Sequence, residues 1–223
     1  MELTPLKRER AVDAVHQALK EAILSSHLRP GERLAVDSLA QKLGVSLTPV
    51  RHAIQLLASE GLVEVKPRSG TFVARVCADD VRETFEIRCA LECMALEKAI
   101  DRITSNDLQR LRALLKAMRK PIRNAADQKE HEEQNKEFHS ILLRAAGNRR
   151  LLEMYDALNA NIKIARIHAS EKDWTNRLEQ EYEEHEAIVK ALEQKRKAQA
   201  VKALRKHIFR AMESLVAAIT NKE

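Results

Sequence analysis

The stretch 44–61 constrains the fold of this chain more than any other part of its sequence. Ser46 is typical of a residue that caps a helix, and Pro49 is tolerated in a first helical turn because its missing N–H would have no partner there. Apolar side chains recur at the spacing of one helix face, and polar side chains occupy the other face. The apolar set is Val50, Ile54 and Leu57, and the polar set is Thr48, Arg51, His52 and Gln55. Gly61 suits the left-handed conformation that ends a helix, so the stretch predicts one short helix.

A second short helix is predicted just before this one. Its buried stripe consists of Val36, Leu39, Ala40 and Leu43. A tight turn at residues 44 and 45 joins the two helices. Two short helices joined by a glycine-containing turn, the second with a polar front, are typical of a helix-turn-helix. The pattern therefore predicts a segment that contacts DNA.

The residues after Gly61 change to a β pattern. Two β-leaning runs, 62–66 and 71–74, flank the sequence Pro-Arg-Ser-Gly at 67–70. This pattern predicts a hairpin with a basic tip. Together with a first helix over 11–24, these elements predict a winged helix-turn-helix.

The sequence predicts helices throughout the second half of the chain. Six helical patterns cover about 79–100, 105–119, 125–146, 151–167, 174–192 and 198–219. Six helices of this length fit an antiparallel bundle. We therefore expect a mainly α protein with a winged helix-turn-helix in residues 1–76 and an antiparallel six-helix bundle in residues 77–223.

Composition narrows the classes of protein further. A net charge of +6 permits an anionic partner such as nucleic acid, although it does not select one. No apolar run approaches the roughly 18–20 residues that cross a bilayer, and the first residues lack the apolar core of a signal peptide. The three cysteines have no metal-ligand spacing, and a reducing cytosol is the simplest setting for them. We expect a cytoplasmic protein without a membrane partner.

Four residues of the second half predict a shared site. Asn135 and His139 are four positions apart and project from one helix face. His185 and His207 lie on either side of a polar break at 194–197, each about ten residues or about 15 Å from it. On a helix hairpin they would lie at the same height. Three imidazoles and an amide oxygen could hold one divalent cation such as Zn. The alternative is that these are separate histidines on helix faces.

The run LAQKLGVSLTPVRHAIQLLASEGLVEVKPRSGTFVARV resembles the DNA-binding domain of the GntR family of bacterial transcription regulators. The resemblance covers nearly all of residues 10–76. Its implied DNA-contacting residues are Ser46, Thr48, Arg51 and His52 on the recognition helix and Arg68 and Gly70 in the wing. Leu47 stands where the family commonly has Arg, and His52 where it commonly has Glu, so the operator sequence cannot be borrowed from relatives. A basic patch of Arg51, Lys66 and Arg68 could alternatively be solvated surface.

The runs NKEFH, EHEAIVKAL, RKHI and EIRCALE are similar to the ligand-binding domain of the FadR-type branch of this family. The resemblance implies a divalent metal, Zn or Ni, held by an acidic residue and three histidines, and a small carboxylate bound to it. It places Arg88 in the same pocket, although an ion pair with Glu92 is an equal alternative. Asn135 stands where the family usually has Asp. Because Asn keeps the oxygen but loses the charge, we expect weaker metal binding.

The sequence is compatible with three functions. The leading one is a ligand-responsive transcription regulator, not an enzyme, that forms a homodimer on a palindromic operator and responds to a small organic acid. The alternative is a helical zinc metalloenzyme with three histidine ligands and Glu183, Glu184 or Glu186 as general base, which leaves the winged domain superfluous. A purely architectural DNA binder leaves the helical bundle unexplained.

Overall fold

A computed structural model describes residues 8–25, 27–169 and 174–220. Within these ranges the elements are α1 (Arg8–Leu24), α2 (Val36–Leu43), α3 (Leu47–Ser59), β1 (Val63–Lys66), β2 (Gly70–Val73), α4 (Ala78–Ala99), α5 (Ser105–Met118), α6 (Ala125–Ala145), α7 (Arg149–Ala169), α8 (Trp174–Glu193) and α9 (Lys197–Thr220). They form two compact units. The first contains α1–α3, both strands and residues 159–168 of α7, and the second contains α4–α6, the first half of α7, α8 and α9. The predicted fold class, mainly helical with a winged helix-turn-helix, is confirmed.

The core of the first unit lies mainly between α1 and α3. Val50, Ile54 and Leu57 of α3 are buried, as their helical spacing predicts. They belong to one apolar cluster with Val15 and Leu19 of α1. Burial of this one stripe leaves the opposite face of α3 for solvent or for a partner.

Ser46 precedes α3 without capping it through its side chain. Its backbone has the extended conformation of a cap residue, with φ −71° and ψ 167°, but the structure of the described residues shows no hydrogen bond from its side chain to the helix. Ser46 therefore occupies the predicted N-cap position, but its hydroxyl does not make the expected hydrogen bond. The amide of the third helical residue is a usual donor to a cap side chain, and Pro49 occupies that position without an N–H. The Ser46 side chain stays exposed.

The wing is a short antiparallel hairpin. β1 pairs with β2 in a register that runs from Val63 opposite Val73 to Lys66 opposite Gly70. At the tip, Arg68 adopts the left-handed conformation with φ 62°. Gly70 has φ 125°, and a Cβ atom added there would lie 3.0 Å from Nε of Arg33. Position 70 therefore favours glycine because of its backbone conformation.

The second unit is a bundle of packed helices. α4 packs against α6 and α9, α8 packs against α5 and α9, and α5 packs against α6. Large buried side chains such as Phe85 and Phe138 fill its interior. Among the described residues, no helix is both long enough and apolar enough to span a membrane. This packing brings α4, α6, α8 and α9 around one interior region.

Glu60 links α3 to α1 in the first unit. Its carboxylate accepts hydrogen bonds from Lys20 Nζ at 2.6 Å and His16 Nε2 at 2.8 Å. Burial alone would raise the pKa of Glu60, but Lys20 and His16 outweigh it and hold that pKa below its ordinary value. A carboxyl whose pKa is lower in the folded chain stabilises the fold above its unfolded pKa. That stabilisation is lost as the pH falls through the folded pKa.

We expect Glu60→Gln to destabilise the first unit by up to about 1 kcal/mol at neutral pH, since the ion pairs are partly exposed. In acid the loss should shrink, because the wild-type carboxyl is then protonated in both folded and unfolded chains. Native-state hydrogen exchange of amides in α1 and α3, at neutral and acidic pH, measures the loss. Glu64→Gln, an exposed change on β1, serves as the control. An equal loss at both pH values would contradict the stabilising role of the ionised Glu60 carboxylate.

Candidate metal centre and nucleic-acid interface

Three histidines from three helices converge inside the second unit. They are His139 of α6, His185 of α8 and His207 of α9, and one ring nitrogen of each lies within 4.8 Å of the others. All three are buried, and His185 is 0% exposed. The ring centroids of His185 and His207 are 4.3 Å apart. The structure therefore brings together the three imidazoles that the sequence predicted as metal ligands.

Two of these imidazoles are oriented by carboxylates behind them. Nδ1 of His139 donates to Glu92 at 2.6 Å, and Nδ1 of His207 donates to Glu184 at 3.0 Å. A neutral imidazole that donates through Nδ1 keeps its lone pair on Nε2. Carboxylates in this position fix the tautomer and orientation of histidines that bind metals. Arg210 in turn donates to Glu184 at 2.8 Å.

The imidazoles are held in the neutral form that a metal requires. Burial lowers the pKa of His185 well below its ordinary value, and the neighbouring His207 lowers it further. Burial likewise lowers the pKa of His207, helped by His139. For His139, burial lowers the pKa against the opposing charge of Glu92.

Asn135 lies one helical turn before His139 on α6 and is 4% exposed. Its Oδ1 atom and both ring nitrogens of His185 are buried and have no hydrogen-bond partner in the described part of the chain. Buried polar atoms without partners cost free energy, so such atoms point to a ligand that completes them. Neutral imidazoles and an amide oxygen fit a divalent cation of the Zn or Ni type.

Arg88 contacts both this cluster and Glu92. Its Nε donates to Glu92 at 2.5 Å, and its Nη2 donates to Nε2 of His139 at 3.2 Å. The ion pair with Glu92, one of the two alternatives from the sequence, is present, and the same guanidinium contacts His139; the effector role of Arg88 stays a prediction. Burial opposes ionisation of Glu92, but Arg88 and His139 keep the pKa of Glu92 below its ordinary value.

His131 and Glu181 form a neighbouring polar pair that the sequence reasoning missed. His131 Nε2 lies 3.6 Å from Glu181 Oε1, and both side chains are buried. His131 is four positions before Asn135 on α6, and Glu181 is four positions before His185 on α8. That shared spacing is the signal that could have revealed them, since it places each on the face of a predicted ligand.

The carboxylates proposed as a general base for an enzyme have other roles. Glu184 is bound to His207 and Arg210, and Glu186 pairs with Lys190 at 3.0 Å. Glu183 is exposed. These positions do not favour the metalloenzyme alternative.

The first unit exposes the predicted DNA-contacting side chains on α3 and the wing. Ser46, Thr48, Arg51 and His52 are exposed on or beside α3. At the wing Arg68 is exposed, whereas Gly70 is half-buried. Lys66 pairs with Glu64 at 3.3 Å and lies over the ring of Phe72. A helix with an exposed polar face and a basic wing tip is the arrangement that DNA-binding domains of this shape use.

Comparison with protein families assigns both halves of the chain. The model for bacterial regulatory proteins of the gntR family matches residues 11–73, and the FCD domain model matches residues 83–210. The chain belongs to the GntR family. GntR regulators bind DNA, and FCD domains bind small-molecule effectors. Some FCD domains bind metal.

Similar proteins are GntR-type regulators along most of their length. The HTH-type transcriptional regulator YdhC of Bacillus subtilis strain 168 is 32% identical over 185 residues, which cover 83% of this chain and 82% of YdhC. The Nta operon transcriptional regulator of Aminobacter aminovorans is 29% identical over 88% of this chain and 92% of that protein. The solved structure of E. coli McbR/YncC is 27% identical, with a TM-score of 0.69 over 95% of this chain and 98% of its own. This GntR protein is accordingly a transcription regulator and not an enzyme.

Proposed function

We propose that this GntR regulator senses a small organic acid through a divalent metal in its FCD domain and thereby controls its binding to DNA. In this proposal residues 1–76 bind DNA, and residues 77–223 bind the effector and pair two copies of the chain in the cytoplasm. The observation that carries the proposal is the convergence of three buried, neutral imidazoles, together with an amide oxygen one turn before His139 on α6 that has no hydrogen-bond partner among the described residues.

His139, His185 and His207 would hold the metal, with Asn135 as a neutral oxygen donor. A bound Zn or Ni ion would supply a positive anchor for a carboxylate oxygen. Glu92 and Glu184 orient two of the imidazoles through Nδ1, which leaves Nε2 for the metal. Burial keeps water away from the site and so strengthens its electrostatic interactions.

Arg88 would connect metal binding with effector binding. Its Nη2 donates to the same Nε2 lone pair of His139 that a metal requires. A metal would therefore displace this hydrogen bond, and the released N–H group could bind an effector carboxylate by a charge-assisted hydrogen bond. Such coupling is reciprocal by thermodynamic linkage. The acid would therefore raise the affinity for the metal by the same factor as the metal raises the affinity for the acid.

DNA binding would rest on α3 and the wing. Ser46, Thr48, Arg51 and His52 would lie at or in the major groove, and Arg68 and Gly70 would bring the wing to the phosphates or the minor groove. Support comes from the exposure of the four α3-side residues and of the Arg68 tip.

A dimer would let two recognition helices read the two halves of a palindrome. Ile87 and Met94, seven positions apart on α4, are large apolar side chains with exposures of 49% and 42%. Such a stripe favours contact with a second copy, which we place at the FCD domain. The acid would change DNA affinity only through different affinities for the binding-competent and incompetent dimers.

The proposal is tested by thermal unfolding of the full-length protein with a panel of small mono- and dicarboxylates, each with and without Zn or Ni. We expect at least one acid to raise the melting temperature only when metal is present. An acid at 100 times its Kd should stabilise the folded state by about 2.7 kcal/mol. Arg88→Ala should remove the effect of the acid and retain that of the metal. Stabilisation by an acid that is unchanged in metal-stripped protein would contradict the proposed role of the metal.

A further inference from the structure

The donors of the proposed metal centre carry no negative charge of their own. His139, His185 and His207 are neutral when they bind a metal, and Asn135 offers an uncharged amide oxygen. A divalent cation bound by these groups would keep its full charge in a buried place. That costs free energy unless an anion nearby offsets it.

The two carboxylates that orient the imidazoles are each matched by an arginine. Glu92 pairs with Arg88 at 2.5 Å, and Glu184 pairs with Arg210 at 2.8 Å. Each pair is close to neutral as a unit. The negative charge for a dication must therefore come mainly from another group.

Glu181 is placed to supply that charge. It lies one turn before His185 on α8, so both side chains project from one face, and it is 4% exposed. His131 contacts it across from α6, one turn before Asn135. Glu181 is therefore a buried carboxylate on the same face of α8 as His185.

We propose that Glu181, on the same face of α8 as His185, supplies the negative charge that the neutral donors of the metal centre lack. This inference rests on the proposed metal centre. The four nitrogen and oxygen donors remain the direct ligands, and Glu181 acts beside them on the bound divalent cation or on a water that the cation holds.

Calorimetric titration of the metal-stripped full-length protein with Zn or Ni tests this inference. We expect Glu181→Gln to weaken binding by about 10- to 100-fold, the range found for outer carboxylates at metal sites. Glu181→Asp, which keeps the charge, should stay within a few-fold of wild type. Glu183→Gln removes the same charge from an exposed position of α8 and should leave the affinity unchanged.

A second change separates charge from packing. Asn135→Asp places a carboxylate on α6, so we expect the double variant Asn135→Asp/Glu181→Gln to recover wild-type affinity. Equal affinities for wild type and Glu181→Gln, or no recovery in the double variant, would overturn the inference while leaving the metal centre in place. Equal losses in Glu181→Gln and Glu181→Asp would also overturn it by indicating a packing role. Failure of wild type to bind either metal would overturn the proposed function itself.

Discussion

His185→Ala is expected to weaken the binding of Zn or Ni by about 100-fold or more. Loss of an outer partner of a metal ligand typically costs 10- to 100-fold in affinity, so loss of a direct ligand should cost at least the upper value. His185 is 0% exposed, and neither of its ring nitrogens has a hydrogen-bond partner within the described residues. Its removal therefore deletes a donor without breaking a bond in the protein. Metal content after purification, followed by calorimetric titration of the stripped protein, measures the change.

The control for this experiment is His27→Ala, an exposed histidine of the first unit. It should leave metal affinity unchanged. Because His185 packs against Phe138 with ring centroids 4.3 Å apart, the alanine variant also creates a cavity. His185→Asn retains more of that volume and should still bind metal far more weakly than wild type. Wild-type affinity in either variant would exclude His185 as a ligand.

Arg51→Ala is expected to weaken specific DNA binding by about 1–3 kcal/mol for each half-site, or roughly 5- to 150-fold, if this side chain reads base edges. Arg51 is exposed on the polar face of α3, whose other face is fixed in the core. The variant should therefore fold normally. Duplexes selected from a randomised pool by wild-type protein provide the sequence for titrations. Unchanged affinity for them would exclude Arg51 from the interface.

Arg68→Ala is expected to affect DNA binding in a different way from Arg51→Ala. A contact to phosphate carries no sequence information, so this variant should weaken binding to selected and random duplexes alike. It should also reduce the slope of log affinity against log salt by about one for each lost phosphate contact. Arg82→Ala removes the same charge from an exposed position on α4 and serves as the control. A loss confined to the selected duplex would mean that the wing reads bases.

Local periodicity explains why much of this fold could be predicted from the sequence. The stripe of Val50, Ile54 and Leu57 depends only on residues within one helix, and it is buried as expected. The convergence of His185 and His207 followed from a hairpin, since equal distances from a turn place residues at equal heights. Ser46 occupies the predicted N-cap position, but its side chain makes no cap hydrogen bond, and Pro49 removes one of the two amides that usually donate to a cap.

Contacts between distant helices could not be predicted in the same way. Arg88 and His139 come together because α4 packs against α6, and no periodicity within either helix sets that contact. The hydrogen bond between Glu92 and His139 has the same origin. Sequence spacing could predict which face of α8 carries Glu181, but the packing of the helices determines which residues that face contacts.

The tip of the wing illustrates a conflict between folding and recognition. Arg68 has φ 62°, a conformation that costs a residue with a side chain about 1–2 kcal/mol relative to the right-handed region and that glycine adopts freely. A glycine at this position would relax the hairpin and remove its exposed cation at the same time. If the cation contacts DNA as proposed, selection for stability alone would favour glycine at position 68 and so weaken the binding of the wing to the operator. Substitutions at position 68 that raise the thermal stability of this regulator would then lower its affinity for DNA.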